Sequence, residues 1–121
     1  MPGETVSGAD DVRSRLARAH DDARADIADL RATMAALRST RESSPDDDEH
    51  DPEGPTLSSE WSRIRGLMLA AELRLGETDA ALARLDDGSY GTCLVCHRPI
   101  APARLEARPT ASLCVECASR L

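Results

Sequence analysis

Cys93, Cys96, Cys114 and Cys117 are the only cysteines in the chain, and they follow the pattern C-x2-C-x17-C-x2-C. Four thiols in two such pairs can be a disulfide framework, a redox pair or a metal cage, and no other feature constrains the fold as sharply. Each C-x-x-C places two sulfurs on one tight turn, and two such turns supply the corners of a tetrahedron with Zn–S bonds of about 2.3 Å. The spacing fits a four-thiolate zinc site. The segment around it, residues 88–121, has Tyr90, Ile100, Leu105 and Leu113 as its main apolar content. That is too little for so short a segment to fold by burial alone, so one structural zinc is expected to hold it together. Four sulfur ligands leave no open position for a substrate. His97, next to the first pair, is expected to be a turn residue and not a fifth ligand.

The compartment supports a metal over disulfides. The opening residues, MPGETVSGAD, carry no cationic patch followed by an apolar run, and the most apolar short stretch, LMLAAELRL, is interrupted by Glu72 and Arg74. Neither a secretory signal nor a membrane span is expected, and the reading is cytoplasmic, where lasting disulfides are rare. The net charge of −7 argues against the large basic footprint that binding free nucleic acid requires. A partner with basic surfaces suits it better.

Upstream of the cysteines the apolar residues are mostly Ala and Leu, and aromatic content is 2%. Such residues serve packed helices better than a broad mixed core. Leu16, Ala23, Leu30 and Leu37 recur every seven residues, with Ile27 and Met34 between them, which predicts one amphipathic helix over residues 8–42. Residues 1–7 are expected to lie outside it, disordered. His20 falls on the stripe and is expected to be a partly buried histidine without a special role. Leu57, Trp61, Ile64, Met68, Ala71, Leu75, Thr78, Leu82 and Leu85 form a second, cleaner heptad seam, and Gly88 is placed to stop that helix. Two such helices most simply fold back as an antiparallel coiled-coil hairpin, expected over residues 8–87.

Residues 43–56 join the two stripes and hold three prolines, a glycine and the six carboxylates Asp46, Asp47, Asp48, Glu49, Asp51 and Glu53. This composition breaks helices and prefers solvent, so an acidic loop is expected at the hairpin tip. A solvated turn is the bland account of it. The fold class that follows is mostly α: a long antiparallel coiled-coil hairpin, then a small four-cysteine zinc finger over residues 88–121.

The stretch GSYGTCLVCHRPIAPARLEARPTASLCVEC resembles the finger of the TraR/DksA family. Gly88, Tyr90, Gly91, Cys93, Cys96, Ile100, Arg104, Leu105, Glu106, Ala107, Arg108, Pro109, Cys114 and Cys117 occupy the family's positions. The resemblance implies a bacterial transcription regulator that binds RNA polymerase directly without reading DNA sequence. It further implies a coiled coil that enters the secondary channel, with a finger packed at its base. The tip residues Asp47, Asp48, Glu49, Asp51 and Glu53 would then act near the polymerase active centre. Members carry Asp-x-x-Asp-x-Ala there; Asp48 and Asp51 keep the spacing of the two acids, while Glu53 stands at the Ala.

Two other functions compete with that regulator, which is expected to be a monomer. One is a zinc-ribbon nucleic-acid-binding module, for which the finger offers Arg98, Arg104, Arg108 and Arg120 against Glu106 and Glu116 but no aromatic platform for base stacking. The other is a coiled-coil adaptor whose seams pair between chains. An enzyme is not expected, because no nucleophile and base share a plausible scaffold and a thin hairpin has no deep pocket.

Overall fold

The computed structural model describes residues 2–43 and 54–121. Four helices follow in order: α1 (Pro2–Ser43), α2 (Gly54–Asp87), α3 (Pro102–Ala107) and α4 (Val115–Ala118). Among the described residues there is no strand, only an isolated antiparallel bridge between Thr92 and Pro99. None of the described helices is long and apolar enough to cross a membrane.

The two long helices pack against each other along the stripes read from the sequence. On α1 the buried residues are Leu16, Ala23 and Ile27, with Leu30, Met34 and Leu37 half-buried; on α2 they are Ile64, Ala71 and Thr78, with Met68 and Leu75 half-buried. The pairing is antiparallel, since contacts that move forward along α1 move backward along α2: Arg13 with Asp86 at 3.0 Å, His20 with Asp79 at 2.8 Å, Asp26 with Arg74 at 3.0 Å, and the Arg38 guanidinium 5.8 Å from the Trp61 ring centre. Thr78 sits in the buried seam because its hydroxyl donates to the Leu75 carbonyl at 2.9 Å, which pairs the polar group locally. His20 is half-buried, and its Nε2 meets Asp79.

The helices begin earlier than the sequence suggested. α1 starts at Pro2 and not near residue 8. A proline at the first helical position has its φ already set, and its missing N–H would have no partner there in any case. The same reasoning applies to Pro55, which lies just inside the start of α2 at Gly54, within the stretch expected to be loop. The acidic residues Asp47, Asp48, Glu49, Asp51 and Glu53 lie outside the described residues.

The chain divides into two compact units, one formed by residues 1–21 with 75–121 and the other by residues 22–74. The cysteine-bearing segment therefore shares a unit with the ends of both long helices. Ala81 shows how that unit is built: it is fully buried yet stands one position off the seam residue Leu82, about 100° away around the helix. At this level α2 has neighbours on two sides, since Asp79 and Asp86 pair with α1 while Arg84 donates to the Thr110 carbonyl at 3.3 Å.

Candidate metal centre

The centre begins where α2 stops. Gly88 has φ of +83°, the left-handed conformation that only glycine adopts without strain, and the N–H groups of Ser89 and Tyr90 both return to the Arg84 carbonyl, at 3.0 and 3.1 Å. Asp87 accepts the Ser89 hydroxyl at 2.6 Å and its N–H at 2.9 Å, and these bonds hold the Asp87 carboxyl below its ordinary range. Gly91, with φ of +85°, turns the chain again and accepts the Ile100 N–H at 2.7 Å.

Between these points lies the first knuckle. The Cys93 N–H donates to the Arg98 carbonyl at 2.8 Å, and the His97 N–H returns to the Cys93 carbonyl at 3.0 Å. His97 takes φ of +62° and its side chain is exposed, so it closes the turn as expected and contributes no atom to the cysteine cluster. The second knuckle is built on a helix start: Cys114 caps α4, and its Sγ accepts the Cys117 N–H at 3.5 Å. The two knuckles are tied together by the Leu94 N–H, which donates to the Ser112 carbonyl at 2.9 Å.

The four sulfurs lie within 4.8 Å of one another, and Cys96 Sγ is 3.8 Å from Cys114 Sγ. A tetrahedron with ~2.3 Å Zn–S bonds has edges of about 3.8 Å. All four thiols are free, so no disulfide competes for them. The donor set and its size therefore suit a tetrahedral thiophilic metal ion, and the fit holds for Cys93, Cys96, Cys114 and Cys117 together. The electrostatics already favour a thiolate at one of them. Backbone N–H groups, that of Cys96 first, point at Cys93 and lower its thiol to about 6, whereas hydrogen bonding to the Cys114 sulfur and burial push Cys117 up to about 12.

Around the sulfurs, Cys93, Ile100 and Cys117 form a small buried core, against which Leu105 and Leu113 pack. Its apolar members are the ones the sequence pointed to, except that Tyr90 acts as a strut. The Tyr90 hydroxyl donates to the Pro109 carbonyl at 2.7 Å, and burial raises its phenol. Three arginines do similar work: Arg104 Nε donates to the Leu113 carbonyl at 2.8 Å, Arg84 to Thr110, and Arg15 of α1 to the Glu106 carbonyl at 2.9 Å. Sequence reasoning missed these clamps. Arg104 and Pro109 stood in the family pattern, but nothing in their spacing says which carbonyl each arginine would reach.

Comparison with known proteins places this geometry. Residues 88–121 match the prokaryotic dksA/traR C4-type zinc finger family. A relative from Caulobacter vibrioides, named RNA polymerase-binding transcription factor DksA, is 46% identical over 65 residues, covering 52% of this chain and 46% of that protein. A protein of the same name from Haemophilus influenzae is 49% identical over 39 residues, covering 32% of this chain and 27% of its own length. The aligned regions thus span less than half of these curated relatives. Across more of the chain, the structure of transcription factor DksA2 from Pseudomonas aeruginosa superposes with a TM-score of 0.77 at 28% identity, covering 94% of this chain and 82% of that one.

Proposed function

Because the chain is a zinc-finger protein of the DksA/TraR family, we propose that it binds RNA polymerase directly and regulates transcription without reading DNA sequence. The observation that carries this reading is the joint occurrence of a four-cysteine knuckle pair and two long antiparallel helices, in an arrangement similar to that of a transcription factor over 94% of the chain. In this reading Cys93, Cys96, Cys114 and Cys117 hold one zinc ion as thiolates, and the metal's contribution is structural. It would fix the two knuckles against each other and, through Arg15 and Arg84, against the ends of α1 and α2. The protein works as a cytoplasmic monomer.

The hairpin would enter the secondary channel with its acidic tip leading. Carboxylates at Asp47, Asp48, Glu49, Asp51 and Glu53 would then meet the catalytic metal or its basic surroundings in a narrow space of lowered dielectric, where charge interactions are much stronger than in bulk water. The test is capture of purified RNA polymerase by the zinc-loaded protein, followed by a purified transcription assay. Replacing Asp48 and Asp51 together by Asn should preserve capture and remove most of the effect on transcription. If the wild-type protein fails to capture polymerase, the reading is wrong.

A further inference from the structure

Residues 22–74 carry a groove that is open to a partner whenever the hairpin stands outside the channel of the proposed function. Its floor is apolar, made by Met34 and Ala35 of α1 and by Met68 and Leu69 of α2. Leu69 is 61% exposed, so its side chain is available to an incoming apolar group. Its rim is basic: Arg31 and Arg38 stand seven residues apart on α1, Arg65 stands on α2, and Glu72 is the one acid among the lining residues. Arg31 and Arg65 form no ion pair among the described residues, and Arg38 lies over the ring of Trp61. Unpaired arginines along an apolar furrow run against the character of a chain whose net charge is −7.

We infer that this groove receives an acidic amphipathic helix of a partner protein. Two antiparallel helices leave a furrow into which a third helix packs by its own apolar stripe, the packing used both in helical bundles and in helix-in-groove recognition. Spacing and charge select the occupant. Leucine-like side chains at helical intervals fill the floor formed by Met34, Ala35, Met68 and Leu69. Glutamates or aspartates on the flanks of that stripe meet Arg31, Arg38 and Arg65. A basic helix would face three arginines at close range, and an uncharged one would leave them unmatched. Two methionines in the floor favour such a site, because an unbranched thioether side chain adapts to the knobs of an incoming helix.

The experiment uses two synthetic peptides with the same leucine heptad stripe, one flanked by Glu and one by Lys, titrated into the full-length zinc-loaded protein. Trp61, the only tryptophan and adjacent to the rim residue Arg38, reports binding by fluorescence. The Glu-flanked peptide should bind at least tenfold more tightly at low salt. That preference is opposite in sign to what the net charge would give for non-specific attraction. Arg31→Glu combined with Arg65→Glu should abolish or reverse the preference, Leu69→Asp should weaken binding tenfold or more, and Arg18→Glu, outside the groove, should change neither. Circular dichroism of each variant confirms that the helices persist. Equal binding of the two peptides, or tighter binding of the Lys-flanked one, overturns the proposal. So does sedimentation showing a dimer of the protein alone that Leu69→Asp converts to monomer, since the occupant would then be a second copy.

Discussion

His97 shows what a single residue contributes and what it leaves to its neighbours. Its φ of +62° is unfavourable for a side chain with a Cβ, and its ring reaches none of the four sulfurs. Substituting His97→Gly should therefore leave metal content at one equivalent and stabilise the finger by up to about 1 kcal/mol, read from chemical denaturation of the zinc-loaded protein. A halved metal content would mean that the imidazole is a ligand after all. Gly91→Ala is the converse case. The nearest atom to an added Cβ is Leu105 Cδ1 at 3.5 Å, so space is adequate, and the expected loss of about 1–2 kcal/mol comes from forcing φ of +85° on an alanine. The cysteines also make the finger pH-dependent. They bind metal as thiolates, and residues 88–121 are expected to need the metal to fold, so acid that protonates the thiols should release the metal and unfold this segment together. Metal release and loss of amide protection in residues 88–121, followed as the pH is lowered, should occur in the same pH interval. The cysteine spacing made this cluster legible in the sequence, because two tight turns dictate where four sulfurs go. The clamps Arg15, Arg84 and Arg104 were not legible, because each reaches a carbonyl that only the tertiary fold brings near.

For the helices, the heptad pattern identified the buried faces because a stripe repeating at 3.5 residues has one geometric use. Leu16, Ala23, Ile64, Ala71 and Thr78 are all buried where the pattern put them. The pattern gave no sign of Ala81, which is buried by a second neighbour and not by the seam. It also misjudged where α1 and α2 begin, since proline reads as a breaker in a scan for periodicity yet fits the first turn. Burial now ranks the effects of mutation. Ile64→Ala removes a side chain that is 1% exposed and should cost about 2–5 kcal/mol, whereas Leu73→Ala, at a position 68% exposed, should stay within about 0.5 kcal/mol. Urea denaturation followed by circular dichroism measures both, and a large effect at Leu73 would reveal a partner for that face.

In the molecule as a whole, residues 1–21 and 75–121 form one compact unit, so the metal centre and the helix ends should respond together. Removing the metal with a chelator should raise amide exchange not only in residues 88–121 but also around Leu16 and Ala81, while the 22–74 unit keeps most of its protection. Exchange confined to residues 88–121 would show instead that the finger melts alone. The paired residues along α1 and α2 have a further effect. Arg13 with Asp86 and His20 with Asp79 set the alignment in one unit, and Asp26 with Arg74 and Arg38 with Trp61 set it in the other. Exposed pairs of this kind add little to stability, but a slip along the helix would break all of them at once. Alignment is thus written into the helices themselves, and the connection between Ser43 and Gly54 does not have to enforce it. Evolution, or an engineer, can treat that connection as an exchangeable cassette, altered in length and composition to suit whatever it meets while the scaffold carrying it stays the same.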